Sequence, residues 1–176
     1  NGHLLSEAYT NDQTKETATP AHSQEYEDGG FCTVCHESRE LHGKGTANDP
    51  YLISNVAQLE YLRDQSNLGN GKITAHAKLV NDIDLAYASA SNWIPVSKSN
   101  SNGFAGTFDG NGHCIKNLYS SFNQGGYVGL FGYVYGGTIK NLTVEGVIES
   151  PCSNQGMIAG YSYGGNYYNC VAKGRI

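Results

Sequence analysis

The sequence predicts an all-β chain built as a β-solenoid, with one helix over its N-terminal end and an extended arm before that. Three observations carry this reading. Residues 132–141 and 160–169, laid over one another at an offset of 28, share six of ten residues: Gly132, Tyr133, Tyr135, Gly136, Gly137 and Asn141 recur as Gly160, Tyr161, Tyr163, Gly164, Gly165 and Asn169. Ile115-Lys116-Asn117-Leu118 recurs 24 residues on as Ile139-Lys140-Asn141-Leu142, so the period is about two dozen residues, the scale of stacked repeats. Within each copy short apolar runs alternate with polar residues at a period of two and are broken by Gly pairs and Asn, which marks strands and turns.

Such strands are too short to bury an apolar face alone, but successive coils about 4.8 Å apart can share one core column. Val128, Leu130, Ile139, Leu142, Val144, Ile158 and Val171 are the candidate core, with Cys170 as a small filler. Asn117, Asn141 and Asn169 are expected at one place in each coil as a turn ladder, since Asn tolerates a left-handed conformation and its amide can bond the coil above. Asn141-Leu142-Thr143 is a glycosylation sequon, but its Asn lies in that column and reads as structural.

Taken in order, residues 1–30 are polar and without period, and cannot bury enough apolar area to offset their ordering entropy. They form a flexible or partner-bound arm in which Leu4, Leu5 and Tyr9 could add a strand to a neighbouring sheet. Residues 31–45 are a Cys/His segment, Cys32-Thr33-Val34-Cys35-His36. C-x-x-C spacing lets two thiolates share a tetrahedral zinc ion, with His22, His36 or His42 to complete the set. The alternative is an electron-transfer protein carrying c-type haem, attached to Cys32 and Cys35 with His36 as axial ligand; a plain thiol pair or a small-loop disulfide also fits. His36-Glu37 opens an H-E-x-x-H pattern that Glu40 leaves incomplete, so no metalloprotease is read here.

The solenoid is expected over residues 46–176. After a short strand at 51–53, Asn55 and Gln58 form a capping-box pattern, and Val56, Ala57, Leu59 and Leu62 make one apolar face, which predicts a helix over about 55–67. It would cover the open strand edges at that end of the stack. From Ala77 to Leu85 the alternation predicts the first coil strand; Asp82 and Asp84 on it are a weak calcium pair and read better as turn-bonding residues. Phe108-Asp109-Gly110-Asn111-Gly112 is a tight turn, with Asp-Gly and Asn-Gly supplying positive φ.

Gly106–Leu118, Tyr127–Ile148 and the weaker Met157–Ile176 resemble GLUG-type repeats of bacterial cell-surface proteins, and Gly45–Gln65 resembles the segment that precedes them. The resemblance implies a right-handed parallel β-helix and an adhesin-like, extracellular setting without a shared active site. Residues 22–36 also resemble short Cys/His knuckles that precede such repeats, although His36 stands where a Gly is usual and an upstream Cys is missing.

Charge separates the regions. Residues 1–45 hold eight acids against three bases, a balance of −5, whereas residues 46–176 hold eight of each. No basic stripe neutralises phosphates, so nucleic acid is excluded as a partner, and no apolar window of about 18 residues offers a membrane span. The acids are too scattered for a polysaccharide-cleaving pair, so catalysis is not expected. The expected role is a structural or adhesion module, self-associating head to tail through the arm and the edge at Ile176, or contacting a cell-surface polysaccharide through Tyr127, Tyr133, Tyr135, Tyr161, Tyr163, Tyr167 and Tyr168.

Overall fold

The computed structural model describes residues 38–69, 71–88, 92–124 and 126–176. Leu4, Leu5, Tyr9, His22, Cys32, Cys35 and His36 lie outside the described residues. What is described is all-β with one α-helix. Strand β1 (Tyr51–Ile53) leads into α1 (Val56–Leu68); then follow β2 (Ala77–Leu79) and β3 (Ile83–Asp84), β4 (Thr107–Asp109), β5 (Cys114–Ser120), β6 (Tyr127–Val128) and β7 (Phe131–Tyr135). The last circuits are β8 (Thr138–Lys140), β9 (Thr143–Ile148), β10 (Asn154–Gln155), β11 (Ala159–Tyr163), β12 (Asn166–Tyr168) and β13 (Val171–Arg175).

These strands pair in parallel with strands one circuit away, in the orders β1-β2-β4-β8-β12, β3-β5-β9-β13, β7-β11 and β6-β10. Val96 extends the β7-β11 ladder by a parallel bridge to Phe131. In-register parallel pairing stacks like on like, so apolar residues form columns: Ile83, Ile115 and Val144 in one, Val96 and Phe131 in another, Phe108 and Ile139 in a third, all fully buried.

The register corrects the period. Ala77 pairs with Phe108 and Phe108 with Ile139, 31 residues each, and Ile139 with Tyr167, 28 residues on. In the neighbouring ladder the steps are 32, 29 and 28 residues, from Ile83 through Ile115 and Val144 to Ala172. The 24-residue offset joined two places in different sheets, since Ile115 belongs to β5 and Ile139 to β8. The run 77–85 is likewise not one strand: Val80 turns a corner, its N–H donating to the Ile53 carbonyl, and the chain enters the next sheet at Ile83.

In the first circuit α1 stands where later circuits have strands. Asn55 caps it by accepting the N–H of Gln58 at 2.8 Å. The Gln58 side chain reaches back one residue further than a capping box requires, to the N–H and hydroxyl of Ser54, and donates to the Glu40 carbonyl. Leu59 and Leu62 enter the core, and the last turns lie across the next circuit. There Ser66 Oγ accepts the N–H of Ser97, Asn67 Oδ1 accepts that of Lys98, Asn67 donates to the Pro95 carbonyl and Asn102 to that of Ser66. Helix side chains thus satisfy amides that a preceding strand would have paired. On the far side of β1, the N–H of Leu52 donates to the carbonyl of His42 in an antiparallel bridge.

Ser97 sits at this junction with φ of 54°, buried, its hydroxyl without a partner among the described residues. A left-handed non-glycine residue costs about 1 kcal/mol and an orphan hydroxyl adds to that. Ser97→Gly is expected to raise the melting temperature by about 2–4 °C, read from the emission of Trp93, the sole tryptophan. A lower melting temperature would show that the hydroxyl contributes favourably.

Candidate interaction surface

One corner unit, built from an Asp, a Lys and an Asn, occurs twice on the outside of the stack. Asp84 accepts the N–H of Ala86 at 3.0 Å and Asp109 that of Asn111 at 2.9 Å, each closing a turn on itself. One circuit later, Lys116 and Asn117 settle on Asp84, the ammonium at 3.4 Å and the amide at 2.7 Å. Lys140 and Asn141 settle on Asp109 in the same way, at 3.2 and 3.0 Å. The repeated Ile-Lys-Asn-Leu is therefore a clamp over an apolar residue and an Asp of the circuit beneath, Ile83-Asp84 in one case and Phe108-Asp109 in the other.

Asn117, Asn141 and Asn169 all adopt positive φ, 58°, 52° and 50°. Only Asn141 and Asn169 share a column, Asn169 donating to Asn141 Oδ1 at 3.1 Å; Asn117 sits at a bulge inside β5. The expected single ladder of three is thus two sites of one chemistry. The turn at 108–112 takes positive φ at Asn111 and Gly112 but not at Gly110, where a Cβ would lie 2.4 Å from the Asn141 carbonyl oxygen: Gly110 is needed for close approach. At the sequon, the Asn141 amide nitrogen is engaged with Asp109.

Burial pushes the carboxyls of Asp84 and Asp109 up, but the Asn, backbone N–H and Lys donors outweigh it and hold both below the usual carboxylate range. For Asp82 the N–H of Cys114 is the largest influence, followed by opposing burial and then His113, again giving a lowered value. A depressed folded value means stability that is complete above the unfolded value near 4 and is lost as pH falls through the folded values. The melting temperature is expected to stay level from about pH 8 to 5 and to fall below about pH 4, and to fall less steeply in Asp109→Asn. An equally steep acid limb in that variant would remove Asp109 from the account.

Further acids are paired too: Glu145 with Lys173 at 2.6 Å, and Glu149 with Arg175. Among the described residues, no group of three or more His, Cys, Asp or Glu is placed to hold a metal ion. Asp82 and Asp84 point their oxygens at Cys114, His113, Asn117 and Lys116, which is the turn-bonding alternative to calcium. His42 is described and exposed; the other candidate zinc or haem ligands are not among the described residues. The Cys114 and Cys170 thiols are free and pushed up chiefly by burial, which keeps them protonated.

The tyrosines form an outward ladder on β7 and β11. Tyr133 stacks on Tyr161 with centroids 5.2 Å apart, Tyr135 on Tyr163 at the same spacing, and Tyr127 meets Tyr133 edge-on at 5.1 Å. The Lys72 ammonium lies 3.6 Å from the Tyr135 centroid. Burial, then the neighbouring phenols, pushes the Tyr133 hydroxyl up. Stacking between circuits takes up ring faces that a sugar platform would need free, and β7–β11 pairing accounts for the arrangement.

No family model matches the chain, and no solved structure matches it at a significant level. Over 129 residues it is 36% identical to a protein of Evansella cellulosilytica named as a Gly-rich membrane protein, covering 69% of this chain and 14% of that one. Over 184 aligned positions it is 32% identical to the halomucin of Haloquadratum walsbyi, covering 97% of this chain and 2% of that one. The chain therefore spans a small part of the length of either curated relative. These relatives are compatible with a surface-type, structural repeat protein. Among the described residues, no helix is long and apolar enough to cross a membrane.

Proposed function

We propose that this chain is a module of GLUG-type β-solenoid, right-handed like the repeats it resembles, that serves as a non-catalytic structural and contact element of a long extracellular or cell-surface protein. One observation carries the reading: the strand ladders repeat in parallel at 26 to 32 residues, and the outward Asp84, Asp109, Lys116, Lys140, Asn117 and Asn141 side chains are spent on binding one circuit to the next. Such a surface supports rigidity and spacing; catalysis would need a cluster of acids left unengaged. The great length of the relatives supports a place within a larger chain.

Head-to-tail stacking of separate copies would need a bare edge on the first circuit. The helix and residues 38–42 occupy that edge, which favours repeats joined within one protein over subunits bridged by Leu4, Leu5, Tyr9 and Ile176. An antibody raised against this chain is expected to label intact cells of the organism that makes it. Labelling only after permeabilisation would overturn the surface assignment, and concentration-dependent filaments of the purified chain would restore the stacking subunit.

For the Cys/His segment we propose a zinc ion on Cys32, Cys35 and His36, with His42 or His22 as the fourth ligand. The fixed main chain of His42, its exposed ring and its place six residues after His36 support this. Metal analysis is expected to find about one zinc per chain, lost in Cys32→Ser. A haem absorption band in its place would assign c-type haem to Cys32, Cys35 and His36.

A further inference from the structure

The tyrosine ladder on β7 and β11 holds four phenols in two matched pairs. Tyr133 and Tyr135 share the outer face of β7, being two residues apart, with the fully buried Val134 turned inward between them. The parallel register then sets Tyr161 opposite Tyr133 and Tyr163 opposite Tyr135. In both pairs the ring centroids lie 5.2 Å apart, and the planes are only 18° and 28° from parallel. Tyr161 and Tyr163 are 41% and 59% exposed, so one ring of each pair is open to solvent. We propose that these pairs are modification sites, at which a one-electron oxidant, such as a haem peroxidase working on peroxide, couples Tyr133 to Tyr161 and Tyr135 to Tyr163 as dityrosine and so links one circuit covalently to the next.

The chemistry balances within the pair. Each phenol gives up one electron and its hydroxyl proton, and the two phenoxyl radicals form a carbon–carbon bond between ring positions next to the hydroxyls. The hydrogens on those two carbons leave as protons and two protons return to the oxygens, so both phenols are restored. Per link, two electrons and two protons pass to the peroxide, which becomes two waters. Coupling requires two short-lived radicals to meet, and the ladder provides that meeting in advance. Pairing of β7 with β11 holds the backbones about 4.8 Å apart, and stacking orients the rings. Tyr127 adds a fifth ring, 5.1 Å from Tyr133 and 5.7 Å from Tyr161, so a radical formed there has a stacked pair in contact. Exposure alone does not select the site. Tyr119, Tyr167 and Tyr168 are exposed as well, but their register partners are Val147, Ile139 and Lys140, which offer no phenol to couple with.

The test treats the full 176-residue chain, folded and dilute, with a haem peroxidase and hydrogen peroxide, then denatures it and digests it with trypsin. Trypsin cuts after Lys116, Lys140 and Lys173, which separates residues 117–140 from residues 141–173. The two peptides are expected to stay joined, with the blue fluorescence of dityrosine and a mass short of their sum by two hydrogens for each link. The melting temperature of the treated monomer should rise by about 10 °C, because a link between residues 28 apart restricts the unfolded chain. Tyr161→Phe combined with Tyr163→Phe keeps the stacked rings but removes two phenols, and should lose the joined peptide. Tyr167→Phe combined with Tyr168→Phe should retain it. An undiminished joined peptide in the first double variant would overturn the proposal. So would links formed only between copies of the chain, or dityrosine confined to the 117–140 peptide.

Discussion

Gly146→Ala is expected to lower stability by about 3 kcal/mol or more, roughly 6–12 °C in melting temperature, because the methyl group has backbone where it would go. A Cβ on Gly146 would lie 2.0 Å from the carbonyl oxygen of Leu118 and 2.6 Å from its Cβ. The register explains the crowding. Asn117 bulges in its left-handed conformation, the pairing shifts between Ile115 and Leu118, and Leu118 arrives opposite Gly146 with its side chain buried. The same column continues into Gly174, whose Cβ would meet the Gly146 carbonyl. Neither backbone can retreat without parting the β5-β9-β13 ladder. Gly69→Ala is the control, with nothing within 4 Å and no positive φ. Equal, small effects from both substitutions in a thermal melt followed by Trp93 emission would sink the argument.

The all-β class was legible because strand alternation and Gly-Asn punctuation are local signals, and they survive whatever the strands pair with. The helix was legible for a similar reason: Asn55, Gln58, Leu59 and Leu62 state a start and a face within eight residues. What the sequence misplaced was phase. Ile115-Lys116-Asn117-Leu118 and its later copy look like equal positions of adjacent coils, yet each repeats a clamp on an Asp and they sit in different sheets. A single chain shows which residues recur but not which carboxylate each recurs against, so Asp84 and Asp109 gave no sign of being partners. The covered end had a partial signal in the helix. The roles of Ser66, Asn67 and Asn102 had none, because polar residues near a helix end read equally well as solvated.

Phe131→Ala is expected to cost about 3–5 kcal/mol, roughly 6–20 °C, because the site cannot close around a lost ring. Phe131 is fully buried, with Phe104 at 4.9 Å and Phe108 at 5.3 Å between centroids. Phe104 and Phe131 belong to the pairing around β7 and Phe108 to the β2-β4-β8 ladder, so the three rings are where inward columns of two sheets meet. Each neighbour is pinned through its main chain: Phe104 donates its N–H to Tyr133, Phe108 pairs with Ala77 and Ile139, and Phe131 accepts support from Val96 below and pairs with Ala159 above. In a helical core the elements could slide to fill the space; here movement of one ring would break parallel hydrogen bonds along a whole circuit. Phe131→Leu keeps most of the volume and should cost less than about 1.5 kcal/mol. The outward Tyr163→Ala, which removes one stacked ring of the exposed ladder, should cost no more than about 1 kcal/mol. Chemical denaturation of the three variants orders them, and a loss at Phe131→Ala no greater than at Tyr163→Ala would mean that the stack is held by its backbone ladders and surface clamps, not by its aromatic centre.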